Sequence, residues 1–373
     1  MIATAPSLNS ETGLAALPPD WPGGFWLHWL VFAVIIIVFV LATVIVFIWL
    51  ERRLIGRFQV RLGPNRAGPF GLLQPIADVI KILTKEDLVP GKADKLVFWL
   101  APVVALAPVL MIFAVIPFQS GALLADLNIG ILYIVAISSV ISIGVFMAGW
   151  SSNNKYSLIG AMRDVAQLVS YEIPLVLSIA AIVMITGSLS LTEIVEAQNV
   201  PYIVLQPLGF FIFFVAALAE INRTPFDLVE ADSEIVAGFN IEYSGTKFAT
   251  LFLTEYAEAV AISAIIATIF LGGWRGPLLP PLLWFLIKLF AVFFLIVWIR
   301  STIPRLRIDQ VMSFAWKFLL PLALINLLIT SIQIVFWPEA SVWPVVLLNL
   351  AMVAALVLFW SKFFKLGGRR IEV

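Results

Sequence analysis

The stretch of sequence from residue 26 to residue 50, WLHWLVFAVIIIVFVLATVIVFIWL, contains no Asp, Glu, Lys or Arg. A helix needs about 20 such residues to cross the ~30 Å hydrocarbon core of a bilayer. Lipid offers no partners to backbone N–H and C=O groups, so a segment of this kind has to satisfy them internally, as a helix. The stretch therefore predicts a transmembrane helix.

Further segments are long and apolar enough for the same interpretation. They cover residues 96–118, 129–149, 165–186, 203–219, 249–272, 282–299, 318–336 and 341–364. The whole chain is 62% hydrophobic and 12% charged, whereas soluble domains carry about 25% charged residues. The prediction is an all-α, polytopic transmembrane helix bundle of about nine spans.

Basic residues are distributed unevenly between the two sides of such a bundle. If the N-terminal tail, residues 1–25, lies outside, all of the 23 Lys and Arg except Arg275 and Lys288 fall on the inner side. The long connections are on that side too, at residues 51–95, 150–164, 220–248 and 300–317. Because Lys and Arg concentrate in cytoplasmic loops, we expect these loops and the basic C-terminal tail in the cytoplasm, where they would dock other proteins. Lys288, inside an apolar span, should have an acidic partner such as Glu258.

Redox chemistry within the chain is restricted by its composition. Cysteine is absent and there is one histidine. Disulfides, thiolate metal sites and iron–sulfur ligation by cysteine are therefore excluded, and one histidine cannot supply both axial ligands of a haem. We expect no metal site and no catalytic residue here; if the chain takes part in electron transfer, other subunits carry the electrons.

The first inner loop contains a helical pattern between residues 71 and 83. One face of that helix consists of Leu72, Ile76, Val79, Ile80 and Leu83. Asp78 and Lys81 lie away from this face. The pattern predicts an amphipathic helix along the membrane surface. Docking against a partner protein is the alternative, and the two are compatible.

Acidic residues lie inside the predicted spans or at their ends. They are Glu172, Glu220, Glu255 and Glu258. A charged side chain at the bilayer centre costs roughly 2.5–3.5 kcal/mol, so such residues usually face a bundle interior or a wet cavity and serve proton or ion paths. For Glu172, which precedes Pro174 by two residues, the alternative is a structural kink whose acid is satisfied by Tyr171 or by a neighbouring helix.

The loop after the fifth span is strongly acidic. Residues 219–234 hold five carboxylates against one arginine, Arg223. A solvated charged face is the ordinary interpretation of such a run. This loop, however, joins two spans that carry acids, and it retains apolar residues such as Phe226 and Leu228. We therefore expect it to fold into the membrane mouth, where its acids would titrate as a coupled set.

Several motifs resemble those of a known family. They are ERR at 51–53, GPN at 63–65, GLLQP at 71–75, SNNKYSL at 152–158, SYE at 170–172, EINRTPFD at 220–227, EYSG at 242–245 and PRLRIDQ at 304–310. In this order they are similar to the H-subunit family of bacterial respiratory complex I, the NADH:quinone oxidoreductase, equivalent to the mitochondrially encoded subunit 1 of NADH dehydrogenase. The resemblance covers about residues 26–336 as a membrane domain. Residues 337–373 would add a C-terminal span and a basic inner tail, whose role is left open.

The resemblance implies a tunnel for quinone, framed by the first span, the surface helix and the sixth and seventh spans. Candidate residues of the tunnel or its mouth are Glu51, Arg52, Arg61, Phe226, Asp227, Tyr256 and Arg300. It also implies a path of protonatable groups that links quinone chemistry to proton pumping. Its candidate members are Tyr171, Glu172, Glu220, Glu230, Glu234, Glu242 and Glu255. Asp227 belongs to both sets.

The substrate implied by the resemblance is quinone, either ubiquinone or menaquinone, with no FMN, haem or iron–sulfur cluster in this chain. The implied partners are quinone-reducing peripheral-arm subunits on the inner face, small and antiporter-like membrane subunits alongside, and lipid, but no nucleic acid. The implied location is the bacterial cytoplasmic membrane. Three alternatives are the equivalent subunit of a membrane-bound hydrogenase-type complex, a structural anchor and a stand-alone proton-coupled transporter. The chain shows no internal repeat of the kind common in transporters.

Overall fold

The computed structural model describes residues 24–120, 123–228 and 238–336, together with residues 346–347, 349–351 and 354. Regular structure in these residues is helical. The helices are α1 (Gly24–Phe58), α2 (Gln74–Leu83), α3 (Lys95–Ile112), α4 (Gly130–Ser151), α5 (Lys155–Thr186), α6 (Leu191–Ala197), α7 (Tyr202–Leu205), α8 (Pro207–Glu220), α9 (Gly245–Ile269), α10 (Pro281–Thr302), α11 (Ile308–Phe314) and α12 (Leu320–Phe336). A π-helical turn, Ala315–Leu319, joins α11 to α12.

Seven of the described helical runs are long and apolar enough to cross a membrane. They are α1 from Leu30 onward, α3, α4, α5, α9, α10 and the continuous run Ile308–Phe336. The predicted polytopic membrane helix bundle is confirmed. Most of the predicted ninth span, like the N-terminal tail up to residue 23, lies outside the described residues.

The predicted fifth span is broken in two. A short helix, α7, ends at Leu205, and α8 begins at Pro207 with 14 residues. Gln206 between them has φ −128° and ψ 60°, because the ring of a following proline disfavours helical backbone at the preceding residue. The helix α8 is about 21 Å long, shorter than a full span, and its break is held by a 3.1 Å hydrogen bond from Gln206 Nε2 to Thr330 Oγ1.

The predicted fourth span begins earlier than its apolar pattern indicated. The helix α5 starts at Lys155, where the side chain of Asn154 caps it by accepting from the backbone N–H of Tyr156. It therefore includes Asp164, which the sequence placed in an inner loop. Hydropathy marks where a helix becomes apolar, whereas the cap marks where it begins.

Small residues bring the spans close together around a central helix. A Cβ at Gly144 of α4 would lie 2.7 Å from the backbone nitrogen of Ala105 in α3, and one at Gly149 would lie 2.3 Å from Cβ of Ala161 in α5. Such contacts are typical of packed membrane helices.

The central helix of the bundle is α9. In its most apolar 18-residue segment 83% of the residues are buried, against 28–50% in the corresponding segments of the other candidate spans.

The connections meet at two opposite ends of the bundle. At one end, called here the basic end, the backbone N–H of Asp94 donates to Ser151 and that of Leu306 donates to Pro225. At the other end, that of Ile131 donates to Leu189 and that of Ile203 donates to Phe270. The two loop-rich faces are thus separated by the length of the spans.

The C-terminal segment packs on this bundle through an asparagine. Asn349 accepts a 2.7 Å hydrogen bond from Nε2 of Gln333 in α12 and donates to the carbonyl of Leu205 in α7. A buried amide pair of this kind ties membrane helices together. The described part of the segment therefore contacts its own chain.

Candidate functional site

A cavity of about 820 Å³ lies between α1, α2 and the beginning of α9. Its apolar wall is formed by Leu41, Val44, Ile45 and Ile48 of α1, by Val79, Ile82 and Leu83 of α2 and by Phe248, Phe252 and Leu253 of α9. Ligand pockets typically have volumes of ~300–1,000 Å³ with mostly apolar walls and a few polar groups. The cavity has the size and lining of a site for an apolar molecule.

Polar groups gather where the cavity reaches the basic end. Lys81 and Lys85 of the α2 region and Ser244 and Thr246 near the start of α9 line this part. Arg52 lies there too and forms an ion pair with Asp78 of α2. From Leu41 to Arg52 the axis of α1 rises about 16 Å. The cavity therefore changes from apolar to charged over roughly half the thickness of a bilayer.

Glu51, next to Arg52 on α1, points into the bundle and binds two arginines. Its Oε1 accepts from Nη1 of Arg223 at 3.1 Å and also from Nη1 of Arg300 in α10. The side chains of Glu51 and Arg223 are 4% and 7% exposed. A buried carboxylate needs such partners, because an unpaired buried charge is costly.

The second contact of Arg223 is an aromatic ring. Its guanidinium carbon lies 4.4 Å from the ring centroid of Tyr256 in α9, within the range of a cation–π interaction. Burial by itself lowers the pKa of Arg223, but the charge of Glu51, with Tyr256 and Glu255 nearby, raises it above the ordinary arginine value. Arg223 is a permanent cation between the cavity mouth and the acidic interior.

The intramembrane acids line three small adjoining cavities between α4, α5, α8 and α9. One, of about 10 Å³, is lined by Glu172, Glu220 and Glu258 with serines of α4. A second, of about 30 Å³, again contains Glu220 and Glu258. A third, also of about 30 Å³, adds Asp164 and Glu255 to that pair. A water molecule needs a cavity of at least ~10–15 Å³ and several polar partners. The two larger cavities therefore have room for water between the acids.

A fully buried amide holds the loop that follows α8. Gln167 Nε2 donates to the carbonyls of Ala219 and Phe226 at 2.7 and 2.9 Å and lies 2.9 Å from Asn222 Oδ1. Asn222 in turn donates to Oδ1 of Asp164 at 2.7 Å. The acidic loop is thus folded back into the bundle at its beginning.

Two acids in this arrangement were not among the predicted site residues. Asp164 is fully buried, and its Oδ2 has no hydrogen-bond partner among the described residues. Glu258 is 8% exposed and lines all three acid cavities. Asp164 was missed because it fell outside the predicted span. Glu258 was assigned to Lys288, although its position three residues after Glu255 places both acids on one side of a helix.

That assignment of Glu258 to Lys288 is wrong. Lys288 Nζ donates to the carbonyls of Gly273 and Arg275 at 2.8 and 2.7 Å. These carbonyls follow the end of α9 at Ile269, about 16 Å along the helix from Glu258. The ammonium is satisfied by peptide carbonyls just beyond the end of α9, where a cation is favoured.

The predicted tunnel residues are not all brought together. Arg52 lines the large cavity, and Glu51, Tyr256 and Arg300 form the cluster around Arg223. Asp227 instead pairs with Arg305 at 2.8 Å. Phe226 packs on Tyr171, with ring centroids 5.3 Å apart. Arg61 is exposed beyond α1 and donates to Gln59.

The predicted path residues are divided in the same way. Glu172, Glu220 and Glu255 line the acid cavities, whereas Glu242 accepts a 2.8 Å hydrogen bond from Asn154. Tyr171 donates to the carbonyl of Val311 at 2.8 Å, which corrects the suggestion that its hydroxyl satisfies Glu172. Two further predicted members, Glu230 and Glu234, lie outside the described residues.

Comparison with known proteins places this chain in a family. A family model described as NADH dehydrogenase matches residues 31–331. The H subunit of NADH-quinone oxidoreductase from Dehalococcoides mccartyi strain CBDB1 is 64% identical over 349 residues, covering 94% of this chain and 99% of the relative. The protein of the same name from Brevibacillus brevis is 50% identical, covering 85% and 96%. That from Bacillus thuringiensis is also 50% identical, covering 84% and 96%. The chain therefore belongs to the NADH dehydrogenase family, together with proteins named as the H subunit of NADH-quinone oxidoreductase.

Proposed function

We propose that this chain is the membrane subunit of a proton-pumping NADH:quinone oxidoreductase that admits quinone and begins the proton path. It lies in a bacterial cytoplasmic membrane with the N-terminus outside and the basic end in the cytoplasm. The observation that carries the proposal is the large apolar cavity between α1, α2 and α9, with charged groups at one end only. A quinone has matching polarity, with a polar head and an apolar isoprenoid tail.

The arrangement of the cavity suggests how the quinone lies. Its tail lies along the apolar side chains of α1 and α9, where burial away from water stabilises it in proportion to area. Its head points to the polar rim and to the peripheral-arm subunits docked on the basic end. Those subunits carry the electrons, and small and antiporter-like membrane subunits pack alongside the bundle.

The cluster around Arg223 supplies a connection from quinone to the interior acids. Arg52 and Glu51 are consecutive, so one faces the cavity while the other reaches Arg223. Arg223 lies three residues after Glu220 in the loop leaving α8. A change of charge on the quinone moves this cluster and shifts protons among Glu220, Glu258 and their neighbours. This shift of protons has to supply about 2.3 kcal/mol for each charge moved across 100 mV.

Photolabelling of the purified complex tests the quinone site. A quinone that carries a photoreactive group on its tail should label Val79, Ile82 or Phe252, and excess natural quinone should suppress the labelling. Labelling confined to other subunits, or unaffected by competitor, would refute the proposed tunnel.

Substitution of the acids tests the proton path. In the assembled complex, Glu172→Gln and Glu255→Gln should each lower quinone reduction and proton translocation. If both activities stay at the wild-type level in both variants, the path does not run through these cavities.

Purification in mild detergent tests the assembly. We expect the native chain to co-purify with subunits whose absorbance shows iron–sulfur clusters. A chain isolated alone in active form would instead favour the transporter alternative.

A further inference from the structure

A buried lysine joins three elements behind the cavity wall. Lys247, in the first turn of α9, places Nζ 2.8 and 2.7 Å from the two carboxylate oxygens of Asp87, in the loop that follows α2. The same ammonium lies 3.7 Å from the ring centroid of Trp99 and 5.3 Å from that of Phe98, both in α3. The Lys247 side chain is only 4% exposed. The attraction within the ion pair and that between the ammonium and the rings are both stronger here than in water, because the dielectric constant is lower.

The backbone around this ion pair adds a second connection between the same segments. Ser244 Oγ accepts a 2.8 Å hydrogen bond from the N–H of Leu88. Gly245 has φ +55°, and a Cβ there would lie 3.2 Å from the carbonyl oxygen of Lys85. Glycine allows both the left-handed backbone and the close approach. The loop after α2 is therefore pressed against the start of α9.

Tyr243 fixes the other side of this contact. Its ring stacks on Phe98, with centroids 4.1 Å apart and 9° between the ring planes. Its hydroxyl donates to the carbonyl of Phe98 at 3.3 Å, and burial raises the pKa of Tyr243 to about 12. Tyr243 and Lys85 both line the cavity rim. The rim is thus built directly on the Lys247 cluster.

A second ion pair, Arg52 with Asp78, links α1 to the middle of α2, and its side chains are 40% and 29% exposed. Exposed pairs contribute little, whereas loss of one partner from a buried pair leaves a costly unpaired charge. Of these two ion pairs, the one formed by the buried Lys247 therefore costs more to break.

We infer that Lys247 and Asp87 are positioning residues, which set the distance of α2 from α9 and so the fit of the cavity to a long quinone tail. The inference rests on the proposed function. The tail contacts Val79, Ile82 and Leu83 of α2, and its stabilisation grows with the apolar area that this wall covers. A quinone with a short tail uses less of the wall and depends less on its position.

Steady-state kinetics of the assembled complex test this role. In Lys247→Met we expect the KM for a long-tailed quinone to rise about tenfold, equivalent to 1.4 kcal/mol. The KM for a short-tailed quinone should change by less than about twofold, and kcat for both should stay close to wild type. Lys247→Arg keeps the charge and should restore most of the affinity. Lys95→Met, which removes an exposed lysine from the basic end of the bundle, should leave both KM values unchanged.

Two further variants distinguish a positioning role from a general loss of assembly. Asp87→Asn removes the partner that is 29% exposed, and Lys247→Met combined with Asp87→Asn leaves neither charge unpaired. Both should raise the long-tail KM selectively. Equal changes for both quinones, or a wild-type KM in the double variant, would overturn the inference. The photolabelling experiment separates the two proposals. If the wild-type cavity is labelled but the KM values of these variants are unchanged, the positioning role alone is refuted. If the cavity is not labelled, the tunnel itself is refuted.

Discussion

Asn222 donates its side-chain N–H to Oδ1 of Asp164 at 2.7 Å, which joins the loop after α8 to the first third of α5. Asp164 lines a water-sized cavity together with Glu220, Glu255 and Glu258, and its Oδ2 has no hydrogen-bond partner among the described residues. A fully buried oxygen without a protein partner requires water or a proton to avoid a large desolvation cost. The pair therefore marks the point where the acidic loop and the intramembrane acids meet.

Asp164→Asn tests whether this acid contributes to proton transfer. The substitution keeps size and polarity but removes the carboxyl group that can take up and release a proton. We expect quinone-linked proton translocation to fall about two- to tenfold, less than the ~100-fold of an obligate proton donor, because neighbouring acids line the same cavity. Acidification of inverted vesicles, followed with a pH-sensitive dye, measures the effect. Asp126→Asn, at an exposed site in the opposite end, should behave as wild type, and equal rates in both variants would contradict the assignment.

Glu258→Gln should be more severe than the change at Asp164. Glu258 lines all three acid cavities, as Glu220 does, so its loss affects each of them, whereas Asp164 lines only one. The expected loss of proton translocation is on the order of 100-fold, with the complex still assembled, since Gln has nearly the same size as Glu and preserves the packing. Proton uptake and the amount of assembled complex are measured in the same membranes. Normal translocation in this variant would mean that the cavities are not part of the path.

Glu51→Gln should destabilise the protein as well as lower its activity. The change leaves Arg223 and Arg300 without the carboxylate that both contact. Removal of one partner from a buried ion pair costs about 3–5 kcal/mol. Thermal unfolding of the purified complex, with native electrophoresis of the membranes, reports this loss. Glu86→Gln, at an exposed position in the loop after α2, is the matched control, and an unchanged unfolding temperature in Glu51→Gln would contradict the role of the cluster.

Gly144→Leu should separate α3 from α4. A Cβ at this position already falls 2.7 Å from the backbone of Ala105, so a larger side chain forces the helices apart. Over-packing of a tight interface typically costs about 1–3 kcal/mol, and a backbone contact cannot relax by rotation of a side chain. The yield of assembled complex should fall. Gly91→Leu, where an added Cβ meets nothing within 4 Å, should assemble normally.

The membrane spans were predictable because lipid imposes a local rule. A segment crosses if it is long and apolar, whatever its neighbours are. The segment 282–299 agrees with α10 to within a few residues for this reason. The start of α5 did not, because its first turns carry polar residues that only the bundle buries. The break at Gln206 had a signal in Pro207, which the apolar pattern concealed.

The candidate site was predictable only in part. Acids inside apolar segments, such as Glu172 and Glu255, are conspicuous because charge in lipid is costly. Asp164 was not, because its burial depends on α8 and the loop after it, 58 residues away. The partner of Lys288 was predicted wrongly, since a sequence shows charges but not the free carbonyls at the end of another helix.

The sequence by itself determined that the chain is a membrane helix bundle, that its basic residues favour one end, and that several acids lie where lipid would otherwise surround them. Each of these depends on a residue and its near neighbours. Only the tertiary structure decided which acids share a cavity. It also decided that Glu51 binds Arg223, 172 positions away in the sequence, and that Lys247 pairs with Asp87, 160 positions away. Those pairings depend on how helices pack, because the position of a buried charge is set by the partner that packing brings within reach.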